Sequence, residues 1–181
     1  MAELTPNQII DRLGLKPLDR EGGYFRRTWL SDFSIPNEFL GDNYPAGKHS
    51  AGTAIYFLIT RDQFSAMHRL QTDEIWLHHL GDPLEMLMLH PNGQGEIAPI
   101  GPDLALDQSP QHTCPANTWQ GTLIAPEHGR VGYALGSCIM APGFEWSDFE
   151  LGERDELISS YPDFTDPITA RVRAIPVKGN R

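Results

Sequence analysis

Residues 67–81 read MHRLQTDEIWLHHLG, and this stretch is the strongest indication of the fold. It places His68 on one predicted strand, residues 65–70, and Glu74 at the start of the next, residues 74–80. The stretch closes on a glycine, where the chain can turn. A histidine and a carboxylate on consecutive strands predict a ligand-binding or catalytic site on the face of a β-sheet.

The rest of the chain contains more short runs with the composition of strands, separated by turn residues. They are residues 24–30, 53–60, 84–90, 96–100, 111–114, 119–124 and 131–140. The pair Asn92 and Gly93 supplies the positive φ angles of a tight turn and predicts a hairpin. Many short strands with frequent glycine and proline favour a sandwich or closed barrel over a parallel α/β sheet.

Short helices are predicted at both ends of this β-rich region. Thr5 has the place of an N-cap residue, Pro6 the first helical position and Gln8 the third position of a capping box. Gly14 predicts the end of this helix. Residues 153–160 predict a second short helix near the C-terminus.

The composition is that of a folded, acidic protein. The chain has 181 residues, 40% hydrophobic and 21% charged, which predicts one domain over residues 1–181 with a core at about 21–151. The net charge of -10 and the lack of a basic cluster argue against nucleic-acid or anionic-membrane binding. No segment resembles a signal peptide or a membrane span, so we expect a cytoplasmic protein. Residues 32–50 lack periodicity and predict a long loop, either a lid or a simple connection.

Strand alternation brings several polar side chains together. Glu74, Trp76 and His78 share one face of their predicted strand, because successive side chains point to opposite faces. If this face and the faces carrying His68 and Gln120 line a barrel interior, all five side chains meet in one pocket. Such a pocket predicts a site for a small-molecule ligand.

Residues 67–81, taken with the later segment PANTWQ at 115–120, resemble the two signature motifs of the cupin superfamily. The matching positions are His68, Glu74, Gly81 and Pro115. Three positions depart from the motifs: Leu70 stands where a second histidine belongs, Asn117 replaces a glycine, and Gln120 replaces the last histidine. The resemblance therefore implies the fold more strongly than it implies a metal site.

Longer blocks resemble an uncharacterised single-domain cupin family whose members are commonly labelled predicted sugar epimerases. The blocks are EGGYFR (21–26), AIYFL (54–58), DEIW (73–76), GDPLE (81–85), WQ (119–120), APGF (141–144) and DFE (148–150). The resemblance implies an all-β protein, a cupin jelly-roll β-barrel with short flanking N- and C-terminal helices, that forms a homodimer. A glutamine after the tryptophan is typical of that family, so Gln120 resembles a family trait.

The leading functional hypothesis is a metal-independent isomerase or epimerase acting on a sugar-derived or similarly polar metabolite, with no cofactor. By analogy with metal-free cupin epimerases, His68 is the expected base and Glu74 or Asp73 its orienting partner. The acid is expected to be a tyrosine. The candidates are Tyr24, Tyr56 and Tyr133, of which we select Tyr133.

Two other functions stay open. In the first, His68, Glu74 and Gln120 hold a divalent metal such as Fe, Zn, Ni or Mn in a degenerate site. In the second, the protein binds a small ligand without catalysis.

Further side chains are candidates for substrate binding. Glu21 and Arg26 are expected at the pocket mouth, where Arg26 would hold a carboxylate or phosphate or, alternatively, form a surface ion pair. The other candidates are Tyr56, Trp76, His78, Trp119 and Gln120.

Overall fold

The computed structural model describes residues 4–41, 44 and 48–173. The helices among these residues are α1 (Pro6–Leu13), α2 (Arg154–Ser160) and α3 (Thr165–Thr169). The strands of the first half are β1 (Lys16–Pro17), β2 (Tyr24–Leu30), β3 (Ser34–Pro36), β4 (Lys48–Ser50), β5 (Thr53–Thr60), β6 (Ser65–Arg69) and β7 (Glu74–Gly81). The others are β8 (Leu84–Leu89), β9 (Gly95–Ile100), β10 (Gln111–Cys114), β11 (Trp119–Ile124), β12 (Tyr133–Met140) and β13 (Glu150–Leu151).

Two antiparallel sheets form the body of the protein. One has the strand order β1-β2-β5-β12-β7-β10 and the other β13-β6-β11-β8-β9. Their inner faces enclose an apolar core that includes Phe57, Trp76, Met86, Met88 and Ile100. The predicted all-β fold, a jelly-roll β-barrel with short helices at both ends, is confirmed.

The helices cover the outer faces of the two sheets. From α1, Ile9 packs against Leu58 and Tyr133 on the outside of the six-stranded sheet. From α2 and α3, Leu157 and Ile168 pack on the outside of the five-stranded sheet. None of the helices in the described residues is long and apolar enough to cross a bilayer.

The predicted start of α1 agrees with the structure in detail. The Gln8 backbone N–H donates to Thr5 Oγ1 at 3.4 Å, and the Thr5 N–H donates to Gln8 Oε1 at 2.9 Å, which completes a capping box. The helix ends at Gly14, whose φ of 61° lies in the left-handed region. Local side-chain chemistry is enough to define both ends of this helix.

The strand predicted at 131–140 begins later than expected, at Tyr133. The cause is the buried carboxylate of Asp82, which accepts the backbone N–H groups of the preceding turn. Its Oδ1 accepts from Arg130 at 2.6 Å and from Val131 at 2.9 Å, and its Oδ2 accepts from Gly132 at 2.7 Å. These N–H groups are therefore unavailable to a strand ladder.

Residues 32–50, predicted as a loop, contain a small sheet of their own. Strands β3 and β4 pair antiparallel, with Ser34 opposite Ser50 and Pro36 opposite Lys48. Each strand has three residues, too few for a period-2 pattern to be recognised in the sequence. The segment is thus a short hairpin packed beside the barrel, and residues 42–43 and 45–47 lie outside the described part.

Candidate functional site

A cavity of about 300 Å³ opens between the barrel interior and the segment that follows β12. Strands β2, β5, β7 and β12 supply part of its wall, and residues 144–146 supply its outer rim. The wall is largely apolar, with a few polar groups directed into it. Those that matter chemically are Glu21, Arg27, Glu74, Cys138 and Glu145.

Glu74 is the first residue of β7 and one of the two acids in the deeper part of this site. Its Oε2 accepts a hydrogen bond from Trp76 Nε1 at 2.9 Å and another from Gln120 Nε2 at 2.6 Å. Burial raises the pKa of Glu74, and the neighbouring Glu21 raises it further, while His68 and the two N–H donors lower it. The net effect is a carboxyl group that is harder to ionise than usual.

Glu21 is the second acid. Ser65 Oγ donates to its Oε1 at 2.6 Å, and its backbone carbonyl accepts the Ala66 N–H at 2.9 Å. The next residue, Gly22, has a φ of 109°, and a Cβ there would overlap the Phe64 carbonyl oxygen, so glycine is required for this close turn. Burial raises the pKa of Glu21 to about 7, against the opposing effects of Ser65 and Arg173.

His68 lies behind the two acids. Its ring stacks on Phe149 with 5.3 Å between centroids and an interplanar angle of 15°, and the residue is only 1% exposed. Nδ1 lies 2.8 Å from the Ala66 carbonyl oxygen, which can only accept, so Nδ1 carries the hydrogen and Nε2 is the acceptor nitrogen. Nδ1 is also 4.0 Å from Glu21 Oε1. Burial lowers the pKa of His68, against the raising effect of Glu74, which favours the neutral ring.

The family relationship of the chain is clear from its comparison with known proteins. Residues 7–152 match the family described as Cupin superfamily (DUF985). The chain belongs to this cupin family. A search of curated proteins gives no match. The resemblance to an uncharacterised cupin family, inferred above from the sequence blocks, is confirmed.

Solved structures similar to this cupin include proteins of close to full-length overlap. A hypothetical protein from Leishmania major is 31% identical, with a TM-score of 0.83 over 94% of this chain and 100% of that one. A protein from Shewanella oneidensis is 28% identical, with a TM-score of 0.82 over 96% of this chain and 100% of that one. A cupin 2 conserved barrel domain protein from Rhodopseudomonas palustris is 14% identical, with a TM-score of 0.52 over 96% and 98% of the two chains, and shows the fold alone.

The donor set of this cupin does not fit a divalent metal ion. His68 offers one imidazole nitrogen, Leu70 offers none, and Gln120 directs its amide nitrogen toward Glu74. Among the described residues there is no group of three or more His, Cys, Asp or Glu side chains able to hold an ion. Because metal affinity depends on the type and number of ligands, the amide and the apolar side chain weaken the site.

One departure from the cupin motifs is conformationally neutral. Asn117, which replaces a motif glycine, has a φ of 61°. Asparagine tolerates this left-handed region better than most residues, so the turn is preserved.

The structure does not bring the candidate tyrosine acids into the cavity. Tyr56 and Tyr133 lie on the outer face of the six-stranded sheet, in the cluster beneath α1, and Tyr24 packs against the same cluster. Alternation explains this, because Ile55 and Phe57 occupy the inner face of β5. Arg26 is also on the outer side, with its guanidinium carbon 5.7 Å from the Tyr56 ring centroid.

The other predicted residues are distributed between the core and the surface. Trp76 is inside, edge-on to Phe57 with 5.5 Å between ring centroids, and reaches the site through its hydrogen bond to Glu74. His78 donates from Nε2 to the Asp82 carbonyl oxygen at 2.9 Å, and burial lowers the pKa of its half-buried ring.

Two further residues lie away from the cavity. Trp119 packs on the outer face of the five-stranded sheet, beneath the C-terminal helices. Its ring centroid lies 4.6 Å from the Arg69 guanidinium carbon. Asp73 accepts the Ala116 N–H at 2.7 Å and fixes a loop. The residues that the structure does bring together at the site are His68, Glu74, Glu21, Trp76 and Gln120.

The side chains on the cavity wall that sequence reasoning did not identify include Arg27, Cys138, Glu145 and Trp146. For Arg27 a signal existed, because alternation places it on the face opposite to Arg26. Glu145 and Trp146 lie on a segment without periodicity, so only the folded chain reveals them.

Proposed function

We propose that this cupin is a metal-independent enzyme of the isomerase or epimerase class, which moves a proton on a sugar-derived or similarly polar small metabolite. The observation that carries the proposal is that two carboxyl groups, Glu21 and Glu74, line one cavity and both have a pKa raised by burial. A general acid or base works best when its pKa is near the working pH. Glu21, with a pKa of about 7, meets this condition.

Two such groups are sufficient for a complete proton-transfer cycle. The ionised carboxylate takes a proton from a carbon next to a carbonyl group, and the protonated carboxyl group returns one to the same carbon from the other side, or to a neighbouring atom. No proton or electron is gained or lost overall. The proximity of the two acids favours unequal protonation, because the charge of Glu21 raises the pKa of Glu74.

His68 has a positioning role in this proposal. It is fully buried, and its Nδ1 lies 4.0 Å from Glu21 Oε1, while its charge would lower the pKa of Glu74. In this proposal the base is Glu21 or Glu74 and not His68, because the two acids line the cavity, where a ligand can contact them.

Deuterium exchange tests the proposal across several classes of metabolite with one assay. Hydroxy acids, keto acids, sugar phosphates and sugar nucleotides are incubated with the enzyme in D₂O, and loss of C–H signals is followed by NMR. We expect exchange at one carbon of at least one compound, lost in Glu21→Gln and Glu74→Gln and kept in Glu127→Gln, a surface control. If no compound that binds exchanges a proton, the protein is a binding protein and the proposed chemistry is wrong.

We also propose that the protein forms a homodimer through the edge of β2. In the described chain β1 pairs only with Tyr24 and Phe25 of β2, which leaves the edge beyond them without a neighbouring strand. Trp29 is 50% exposed and Phe33 70% exposed beside that edge. Unpaired edges and exposed apolar side chains are typical of protein interfaces.

A further inference from the structure

Two adjacent arginines on β2 point to opposite sides of the sheet. Arg27 lies opposite Ile55 in the ladder, and both side chains line the cavity. Arg26 lies opposite Tyr56, and its guanidinium rests over that ring on the outer face. The cavity wall therefore carries the guanidinium of Arg27, whereas the sequence analysis expected Arg26 at the pocket mouth.

Arg27 lines the cavity but is itself an exposed residue, and no described residue engages its guanidinium. Within the described residues it makes no hydrogen bond and no ion pair. Other arginines are occupied: Arg69 pairs with Glu150 at 2.7 Å, and Arg173 donates to Gln63 at 2.8 Å. A guanidinium in a concave wall with its donors unused is a ready anion-binding group, because its planar fork matches carboxylate and phosphate oxygens.

We propose that Arg27 is the anion-binding residue of the cavity and holds the carboxylate or phosphate group of the substrate, in the same cavity that the acids Glu21 and Glu74 line. This inference rests on the proposed function for the identity of the ligand as a substrate. Fixing the anionic group at Arg27 would orient the rest of a small molecule toward the two acids. The substrate class that follows is a small organic acid or phosphate ester.

The charges and walls around Arg27 suit such a ligand. Phe25 and Ile55 line the cavity beside it with apolar surface that can contact the rest of a ligand, while Arg27 itself is exposed and accessible to an anion entering from solvent. The negative charge of Glu145 on the rim repels an anion, but this side chain is exposed and solvent screens its charge. Arg20, whose guanidinium carbon lies 5.1 Å from the Trp146 ring centroid, adds a second positive charge beside the same rim.

The adjacent arginines provide a matched experiment. Arg27→Gln and Arg26→Gln each remove one positive charge from neighbouring positions, so a general effect of surface charge would be the same in both. The probes for isothermal titration are anionic and neutral partners: benzoate with benzamide, phenyl phosphate with benzyl alcohol, and glycerate with glycerol. Circular dichroism and thermal unfolding establish that both variants are folded, and Arg27→Lys serves as a second variant that keeps the charge without the fork.

We expect the wild-type protein to bind at least one anion more tightly than its neutral partner. Arg27→Gln should weaken that binding roughly fivefold to tenfold, because solvent at the exposed guanidinium reduces the energy of a charge-assisted hydrogen bond to about 1 kcal/mol. Arg26→Gln should leave it within about twofold, and Arg27→Lys should retain part of it. The arm that responds, carboxylate or phosphate ester, identifies the anionic group. Equal effects of Arg26→Gln and Arg27→Gln, or no preference for any anion over its neutral partner, would overturn the inference.

The same samples separate this inference from the proposed function. If anion binding depends on Arg27 and no C–H exchange occurs in D₂O, the anion site stands and the proton-transfer chemistry fails. If exchange occurs with an unchanged rate and affinity in Arg27→Gln, the proton-transfer chemistry stands and the anion site fails.

Discussion

Replacing Glu21 by glutamine should make the protein less sensitive to rising pH. The pKa of Glu21 is raised from 4.5 to about 7 in the folded protein, so the folded state binds more protons than the unfolded state between these values. Its contribution to stability is complete below pH 4.5 and is lost as the pH rises through about 7. Above that pH, the wild-type protein carries an ionised carboxylate in a site that disfavours it.

The size of the effect follows from the displacement of the pKa. A change from 4.5 to about 7, at 1.36 kcal/mol per pKa unit, amounts to about 3 kcal/mol of unfolding free energy. This is an upper limit, because the Glu21 side chain is 13% exposed and solvent screens part of the charge. The amide of Glu21→Gln has no charge to bury, and its oxygen can still accept the hydrogen bond from Ser65.

Urea unfolding at about pH 5 and about pH 8 measures the difference. We expect the wild-type protein to lose up to about 3 kcal/mol between the two conditions, and Glu21→Gln to lose clearly less. The Glu74 contribution to the pH dependence should also fall, because the Glu21 charge is one cause of its raised pKa. Glu127→Gln, on the exposed surface, should behave as wild type. If Glu21→Gln and wild type show the same pH dependence, Glu21 is not a buried acid and the reasoning fails.

Three more outcomes are expected. Asp148→Ala should cost about 1–3 kcal/mol in urea unfolding, because it leaves the buried His49 Nε2 without the hydrogen-bond partner that lies 2.8 Å away; a loss below about 0.5 kcal/mol would contradict this. Light scattering should show that Trp29→Glu converts a dimer to monomers while Leu104→Glu, equally an exposed apolar site, does not; an unaffected dimer would place the interface elsewhere. Elemental analysis of protein purified without chelators should find no transition metal near one equivalent, and a stoichiometric ion would contradict the donor-set argument.

Strand periodicity predicted which side chains share a face, and this part of the sequence analysis agrees with the structure. The bounds of β2, β5, β10 and β11 coincide with the predicted runs. Glu74 and Trp76 do share a face, and Gln120 pairs with His68 across β6 and β11. These relations depend only on neighbours in the chain and on one adjacent strand.

Periodicity did not predict which face of β5 is the interior. Ile55 and Phe57 line the inside, but Tyr56 and Leu58 are covered by α1 on the outside, so both faces are apolar. A strand covered on both sides has no polar face from which its orientation can be read. This ambiguity explains why Arg26 was expected at the cavity where Arg27 lies, and why Tyr133 was expected inside although it faces outward.

The rim of the cavity was unpredictable for a different reason. Residues 141–149 have no periodic pattern, and contacts from distant residues fix their position. The Phe144 N–H donates to Thr53 Oγ1 at 3.0 Å, and the His49 ring meets the Asp148 carboxylate at 2.8 Å. Asp148 contacts His49 of β4, and the next residue, Phe149, stacks on His68. The hairpin of β3 and β4 is therefore connected to the candidate site through two adjacent residues.

Two of the three replaced motif positions, Leu70 and Gln120, have a common consequence for Glu74. A cation would hold the Glu74 carboxylate ionised, whereas here two neutral N–H donors, from Trp76 and Gln120, share its Oε2. These donors lower the pKa of Glu74 less than burial raises it, so the group keeps an affinity for a proton. Leu70 lines the cavity beside it with apolar surface, which maintains the burial on which the raised pKa depends. Both replacements therefore remove metal ligands and, by the same change, favour a Glu74 carboxyl group whose pKa stays above its ordinary value.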